Sequence, residues 1–285
     1  MFGRSIFIGL VVALCASVVG SAAVAERFLG RKIEIFDGRK DTTKPAPVVI
    51  VLHGFLASSK SIRRAAGFDR VAEQNEFVVV YPNGRFRGWN DGRAPANRFD
   101  DVGYLSALVR SLIDEGIAQK DRVFMAGHSN GGGMAMRMAC DRPGLIAGIA
   151  VIATKVPKKY PCENGPAVPA VFFYGTDDPI APHSGRSSQS RLGGTLSSGA
   201  TINVWKARNG CSNTAEVRDV NKWQDDTRAK IIRFRDCKAR LTYVEIEGHG
   251  HAWPRPGLRS TRLQGRASQE IDAALLSYEF FEGLR

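Results

Sequence analysis

Runs of consecutive apolar residues recur along the chain and are separated by segments with helical periodicity. The runs are PVVIVLHG (47–54), EFVVVYPNG (76–84), RVFMAGHS (122–129), LIAGIAVIAT (145–154), PAVFFYG (169–175) and LTYVEIEG (241–248). Continuous apolar runs of this length, rich in β-branched residues, are typical of strands that are buried on both faces of a parallel sheet.

The segments between the runs favour amphipathic helices. One helix is predicted over residues 61–75, and another begins at Asp100 or Asp101. The apolar stripe of the second comprises Val102, Leu105, Leu108, Val109 and Leu112. A last helix is predicted over residues 270–281, with Ile271, Leu275 and Leu276 facing inward.

This alternation of strand and helix predicts an α/β fold, with a mainly parallel central sheet flanked by helices and joined by right-handed crossovers. Such sheets bind ligands at the carboxyl ends of their strands. Two long polar stretches, 83–98 and 182–199, follow strand ends. They either form the rim of a site at this edge or are surface loops.

The amino-terminal segment is typical of a secretory signal peptide. Arg4 precedes an apolar run over residues 6–19, and small residues end the segment at Ala25. The run is short for a membrane span, and Leu14 stands before Cys15 where a lipoprotein signal needs a small residue. We therefore expect cleavage after Ala25 and no stable membrane insertion, with a retained anchor as the alternative.

The remaining residues, 26–285, have a length that one hydrophobic core can serve, and we expect a single catalytic domain. The chain has a formal net charge of +12. Its bases are interspersed with acids and accompany no nucleic-acid motif, which favours a solvated basic surface over a nucleic-acid site.

Four cysteines remain beyond the signal segment: Cys140, Cys162, Cys211 and Cys237. An even number in an exported chain predicts two disulfides and a secreted or periplasmic location. Three pairings are open, of which the one joining sequence neighbours closes the shortest loops. No cysteine or histidine spacing indicates zinc, so we expect no metal and no cofactor.

The segment AGHSNGGGMA (126–135) contains a G-x-S-x-G motif centred on Ser129. An apolar run precedes it and a helix-like segment follows, which is the strand–turn–helix context of a nucleophilic serine. The N–H of Asn130 would then face a developing oxyanion, and Phe55, at the end of the first run, would supply the second N–H. The alternative is a structural serine in a glycine-rich loop.

A nucleophilic serine needs a histidine as base, and the chain has five. His128 adjoins the serine and is expected to point away from its side chain, His53 ends a strand, and His183 lies in a polar loop. His249 and His251 follow the last predicted strand, where the base of a Ser–Asp–His order belongs.

The acid that orients the base should lie between serine and histidine, at a strand end. Asp177 and Asp178 both meet this condition, in the turn after the run 169–175. The order Ser, Asp, His is that of α/β-hydrolases. Each element also has a simpler explanation: Asp-Asp-Pro is favourable in turns, and His-Gly-His could form a surface loop or a metal site.

With these motifs the chain resembles the secreted polyhydroxybutyrate depolymerase group of α/β-hydrolases, which is similar to feruloyl and acetylxylan esterases. The resemblance rests on VLHGF, DDVGYL, AGHSNGGGMA, YGTDDPIAP, WKARNGC and GHGHAWP, in this order. It implies that Asp178 is the acid and His251 the base, and that Cys211 pairs with Cys237. Two departures are His249, where the group usually has glycine, and the lack of a separate polymer-binding domain.

The resemblance implies a serine esterase that cleaves polyhydroxybutyrate-type polyesters or their oligomers through an acyl-enzyme. Trp253 would either line the site beside the base or pack in the core. One alternative is an esterase that removes feruloyl or acetyl groups from plant polysaccharide, and another is a noncatalytic binding protein with a hydrolase-like fold.

Overall fold

The computed structural model describes residues 24–93, 99–190 and 193–284. Residues 1–23 of the predicted signal peptide lie outside the described residues. The strands are β1 (Val24–Phe28), β2 (Arg31–Asp37), β3 (Ala46–Leu52), β4 (Val78–Pro82), β5 (Ala118–His128), β6 (Gly148–Ile152), β7 (Ala170–Gly175), β8 (Ala215–Val220), β9 (Arg228–Phe234) and β10 (Leu241–Glu247). The helices are α1 (Ser59–Ala66), α2 (Phe68–Asn75), α3 (Asp101–Asp114), α4 (Asn130–Asp141), α5 (Ser198–Asn209) and α6 (Ala273–Glu282).

The strands form one sheet in the order β1-β2-β4-β3-β5-β6-β7-β10-β9-β8. The six central strands, which are β4, β3, β5, β6, β7 and β10 in sheet order, run parallel to one another. They correspond to the six apolar runs of the sequence, so the predicted α/β fold with a mainly parallel sheet is confirmed. The outer pairs are antiparallel.

The sequence pattern did not reveal the outer strands. β8 is exposed along most of its length, so it lacks the apolar run that marks a buried strand. The sheet is consequently wider than predicted, and antiparallel strands form both of its edges.

The hydrophobic core lies on both faces of the sheet. Successive side chains of a strand point to opposite faces, so Ile50 joins one apolar cluster and Val51 the other. Helices α3, α4 and α5 cover the first face, and α1, α2 and α6 cover the second. Burial on both faces is the physical reason for the uninterrupted apolar runs.

Two helices differ from their predicted bounds. The segment 61–75 is divided into α1 and α2 because Gly67 adopts a left-handed conformation with φ of 73°. The last helix begins at Ala273, where the Asp272 side chain caps it, instead of at residue 270. The prediction that Leu275 faces inward was wrong, because the buried side of α6 is formed by smaller residues and two phenylalanines, and Leu275 is exposed.

Both predicted disulfides are present. Cys140, in the last turn of α4, pairs with Cys162, and Cys211, just after α5, pairs with Cys237. Each disulfide joins two cysteines that follow one another in the order of cysteines along the chain. In the part of the chain that the structure covers, no helix has the length and apolar character needed to cross a membrane.

Candidate active site

Ser129 occupies a strained turn between β5 and α4. Its backbone has φ of 53° and ψ of −118°, and its N–H donates to the carbonyl oxygen of Ile152 at 2.8 Å. A Cβ on Gly131 would lie only 2.3 Å from the carbonyl oxygen of Leu52, so the helix can start this close to β3 only with glycine at that position. The turn therefore holds the serine side chain at the carboxyl edge of the sheet.

His251 and Asp178 lie together at the same edge. The Nδ1 atom of His251 is 2.8 Å from Oδ2 of Asp178, and both side chains are almost fully buried. The other carboxylate oxygen of Asp178 accepts the N–H groups of Ile180 and Ala181 at 2.8 and 2.6 Å. Backbone donors thus fix the carboxylate in the orientation that faces the imidazole.

The surroundings of Asp178 stabilise its charged form. Burial by itself would raise the pKa of this carboxyl, but the hydrogen bond and charge of His251, followed by the backbone N–H of Ala181, lower it on balance. Asp178 therefore remains ionised at neutral pH. Asp177 is exposed, and its carboxylate accepts the hydroxyl of Thr176 at 2.8 Å.

His249 is held by backbone groups on both sides of its ring. Its Nδ1 accepts the N–H of Ser268 at 2.9 Å, and its Nε2 lies 3.0 Å from the carbonyl oxygen of Ala252. Burial lowers its pKa to about 4, so this imidazole is neutral. It fastens the loop that carries His251, and neither nitrogen is left to act as a base.

His128 packs against His251. The two rings are 4.9 Å apart, and Nε2 of His128 lies 2.7 Å from the carbonyl oxygen of His251. Packing away from water, then repulsion from His251, lowers the pKa of His128 to about 3. This neutral ring donates to that carbonyl and so positions the backbone of His251, a role that the sequence pattern did not indicate.

The loop after β3 brings Phe55 toward the serine turn. A Cβ on Gly54 would lie 3.5 Å from Cβ of Ser129, which shows how closely the loop and the turn approach. The N–H of Leu56 donates to the carbonyl oxygen of Arg87 at 2.7 Å and ties this loop to the next one. Asn130 is the first residue of α4, where an N–H has no acceptor within the helix.

The side chain of Asn130 anchors the loop that follows β4. Its amide nitrogen donates to Oδ2 of Asp91 at 2.7 Å and to the carbonyl oxygen of Trp89 at 2.9 Å, and its amide oxygen accepts the Trp89 N–H at 2.7 Å. His53 adds a second anchor, because its Nε2 accepts the N–H of Gly84 at 2.9 Å. The polar stretch 83–93 is therefore fixed against the site, whereas residues 94–98 lie outside the described residues.

The remaining candidates are His183 and Trp253, and the Trp253 ring lies 6.4 Å from that of His128. Nε2 of His183 is 3.3 Å from the hydroxyl of Tyr243 and from Oε2 of Glu245. Trp253 is 2% exposed and packs edge-on against Phe68, so it belongs to the core and does not line an open site. Across the described residues, no group of three or more His, Cys, Asp or Glu side chains is placed to hold a metal ion.

Exposed apolar side chains stand on the loops beside the serine turn. Phe55, Leu56 and Phe86 are 60, 57 and 84% exposed. The backbone hydrogen bond between Leu56 and Arg87 joins the two loops, and we call their three exposed apolar residues the apolar rim. Such a surface suits contact with an apolar ligand.

The chain is similar to several known esterases. A model of the α/β-hydrolase fold matches residues 47–168. The chain is 26% identical to a protein that bears the name esterase NocK, of Nocardia uniformis subsp. tsuyamanensis, over 85% of this chain and 76% of that protein. It is 25% identical to feruloyl esterase B of Piromyces equi, over 73% of this chain and 40% of the esterase.

One further sequence match and one structural match extend the comparison. Poly(3-hydroxybutyrate) depolymerase of Ralstonia pickettii is 24% identical, with 82% of this chain matched to 52% of the depolymerase. The structure of an acetyl xylan esterase from Aspergillus awamori superposes with a TM-score of 0.65 and covers 93% of this chain and all of its own, at 15% identity. At 15% identity, the superposition shows a shared fold and nothing further.

Proposed function

We propose that the chain is an exported serine esterase of the α/β-hydrolase family, with Ser129, His251 and Asp178 as its catalytic triad. Its similarity to feruloyl esterases and to a poly(3-hydroxybutyrate) depolymerase supports the proposal. The observation that carries the proposal is the 2.8 Å hydrogen bond between His251 and the ionised Asp178, at the sheet edge where Ser129 occupies its strained turn.

The proposed reaction is acyl transfer in two steps. Nε2 of His251 takes the proton of the Ser129 hydroxyl while Oγ attacks the ester carbonyl, and Asp178 stabilises the imidazolium that forms. The N–H groups of Phe55 and Asn130 stabilise the tetrahedral oxyanion, each contributing about 3 kcal/mol. His251 then protonates the leaving alcohol, and a water molecule releases the acyl group by the same path.

We propose a polyhydroxybutyrate-type polyester or its soluble oligomers as the substrate. The exposed apolar rim at Phe55, Leu56 and Phe86 favours an apolar acyl chain, and the relationship to the Ralstonia pickettii enzyme points the same way. The second candidate is a feruloyl or acetyl ester of plant polysaccharide, which the relationship to the Piromyces equi enzyme favours.

Export is part of the proposal. Two disulfides suit an oxidising compartment, and the first 25 residues have the pattern of a signal peptide. The amino-terminal sequence of the protein recovered from outside the cytoplasm tests this point, with Glu26 as the expected first residue. Recovery of the intact chain from the membrane fraction would contradict cleavage and support a retained anchor.

Hydrolysis of a substrate panel tests the activity and the substrate together. The panel comprises p-nitrophenyl acetate, a 3-hydroxybutyrate oligomer and methyl ferulate, each given to the purified protein and to Ser129→Ala. We expect turnover of the first two by the wild type and loss of at least about a thousandfold in the variant. Preference for methyl ferulate would reverse the order of the two substrates.

A fluorophosphonate probe separates the esterase from a noncatalytic binding protein. The probe reacts covalently with an activated serine, so the wild type should be labelled at Ser129 and Ser129→Ala should not. Ser197, which caps α5 and accepts the N–H of Ala200, is a control site that should stay unlabelled. A folded wild type without labelling or turnover would support the binding protein.

A further inference from the structure

Lys155 is a buried lysine at the carboxyl edge of the sheet, and the proposed triad does not use it. It is 1% exposed and lies in the segment that follows β6, the strand between the strands of Ser129 and Asp178. The segment is fixed on both sides, because Ala153 donates to the carbonyl oxygen of Phe173 at 3.1 Å and Val156 to Oγ1 of Thr201 at 3.1 Å.

The ammonium group of Lys155 binds the turn that holds Asp178. Its Nζ donates to the carbonyl oxygen of Ala181, while the N–H of the same Ala181 donates to Oδ1 of Asp178 at 2.6 Å. Nζ also lies 4.9 Å from the ring centre of Tyr174, the face of which attracts a cation. One residue, Ala181, thus links the lysine to the carboxylate.

The charged groups that face Lys155 come from two directions. Asp178, in the turn after β7, attracts the ammonium group, and Arg186, from the following loop, repels it. The Tyr174 ring beside the ammonium group is neutral, because burial raises the pKa of its phenol. Arg186 is partly exposed and its charge is screened by solvent, so the buried Asp178 is the stronger partner.

Because an isolated buried ammonium is costly, a lysine in this position calls for an explanation. We propose that Lys155 is a positioning residue that holds the 178–181 turn in place and keeps Asp178 ionised, so that His251 stays oriented as the base. The proposal rests on the function proposed above. It assigns Lys155 no contact with substrate.

The charge of Lys155 has a definite effect on the pH dependence of activity. The nearby ammonium group helps to lower the pKa of the Asp178 carboxyl, because a cation opposes protonation of a carboxylate. Removal of the cation makes proton uptake by this carboxyl easier. The acidic limb of the kcat/KM profile should then move to higher pH.

Replacement of Lys155 by methionine tests the proposal with p-nitrophenyl acetate between pH 5 and 9. We expect Lys155→Met to lower kcat about tenfold at pH 7, to leave KM within about twofold, and to raise the acidic limb by about one pH unit. Lys155→Arg keeps the positive charge and should return the limb to its wild-type position. The thermal midpoint of each variant checks that it is folded.

The matched control is Lys158→Met, the same substitution at an exposed lysine of the same segment, which should leave both the limb and kcat unchanged. Should Lys155→Met fail to fold, Lys155→Gln is measured in its place. If folded Lys155→Met has wild-type kcat and an unmoved acidic limb, the proposed role of Lys155 is wrong, while the proposed function stands. Absence of Ser129-dependent turnover in the wild type overturns the proposed function, and the role of Lys155 with it.

Discussion

Asp177 and Asp178 are adjacent in the chain but lie in different environments. Asp178 is buried, accepts two backbone N–H groups and pairs with His251, whereas Asp177 is exposed to solvent. In the turn after β7, the Asp178 side chain is directed at His251 and that of Asp177 at solvent. Residue type and spacing alone left the choice open, and only the family resemblance had indicated Asp178.

Replacement of each aspartate by asparagine tests this difference. Asp178→Asn should lower kcat by about 10⁴-fold, because the amide favours the wrong tautomer of His251. Asp177→Asn should change kcat by less than about threefold, since its carboxylate is exposed and accepts the Thr176 hydroxyl. Both are measured at pH 7 with p-nitrophenyl acetate. Equal losses in the two variants would show that the acid has been assigned incorrectly.

The two histidines of the His-Gly-His segment differ in the same way. Both ring nitrogens of His249 are occupied by backbone groups, while Nδ1 of His251 faces Asp178. The departure from the family pattern at His249 therefore has a structural account in this protein: its ring fastens the loop to Ser268.

At the scale of the element, the turn between β5 and α4 depends on close approach of backbones. Gly131 lies in the first turn of α4, and its Cα faces the carbonyl oxygen of Leu52 at the end of β3. The apolar run and the glycines predicted the strand, the turn and the helix from sequence. The contact with β3 could not be predicted, because it depends on which strand lies beside β5.

Alanine at Gly131 tests that packing. Its Cβ would lie 2.3 Å from the Leu52 oxygen, so Gly131→Ala should lower the free energy of unfolding by about 3 kcal/mol. Gly199 holds the corresponding position of α5, and a Cβ there meets nothing within 4 Å. Gly199→Ala should stabilise the protein by about 0.5 to 1 kcal/mol. Urea unfolding measures both, and equal effects would contradict the packing argument.

The disulfide between Cys211 and Cys237 connects the end of α5 to the segment before β10. The bond closes a loop with a sequence separation of 26 residues. Replacement of both cysteines by serine should lower the free energy of unfolding by about 3 kcal/mol, since the unfolded chain gains the freedom of the open loop. Thermal unfolding with and without reductant measures the effect. In the double variant, reductant should lower the midpoint only through loss of the Cys140–Cys162 bond.

For the whole molecule, three buried neutral histidines contribute to the loss of stability in acid. Burial lowers the pKa of His53, lowers that of His128 to about 3 with added repulsion from His251, and lowers that of His249 to about 4. The unfolded chain takes up these protons near pH 6.5, before the folded protein does. Stability is therefore present above about pH 6.5 and is lost as the pH falls toward about 4.

Urea unfolding between pH 7.5 and 4 checks this expectation. The midpoint should fall steadily below about pH 6.5 in the wild type. In His249→Gln the midpoint should be lower at pH 7.5, because a packed ring is lost, and should fall less steeply with acid. The partly exposed His183 provides the control, and His183→Gln should keep the wild-type slope. A midpoint independent of pH over this range would contradict the role of the buried histidines.

The sequence by itself determined the central sheet, the strand–turn–helix at Ser129 and the order of the candidate catalytic residues. These features follow from local signals: apolar runs for strands buried on both faces, glycines at a crowded turn, and chain order. The antiparallel outer strands, the contacts of His128 and His249, and the link from Lys155 through Ala181 to Asp178 were decided only by the tertiary structure. They depend on which side chains meet across neighbouring strands, and a side chain's partners over long sequence separations leave no local pattern in the chain.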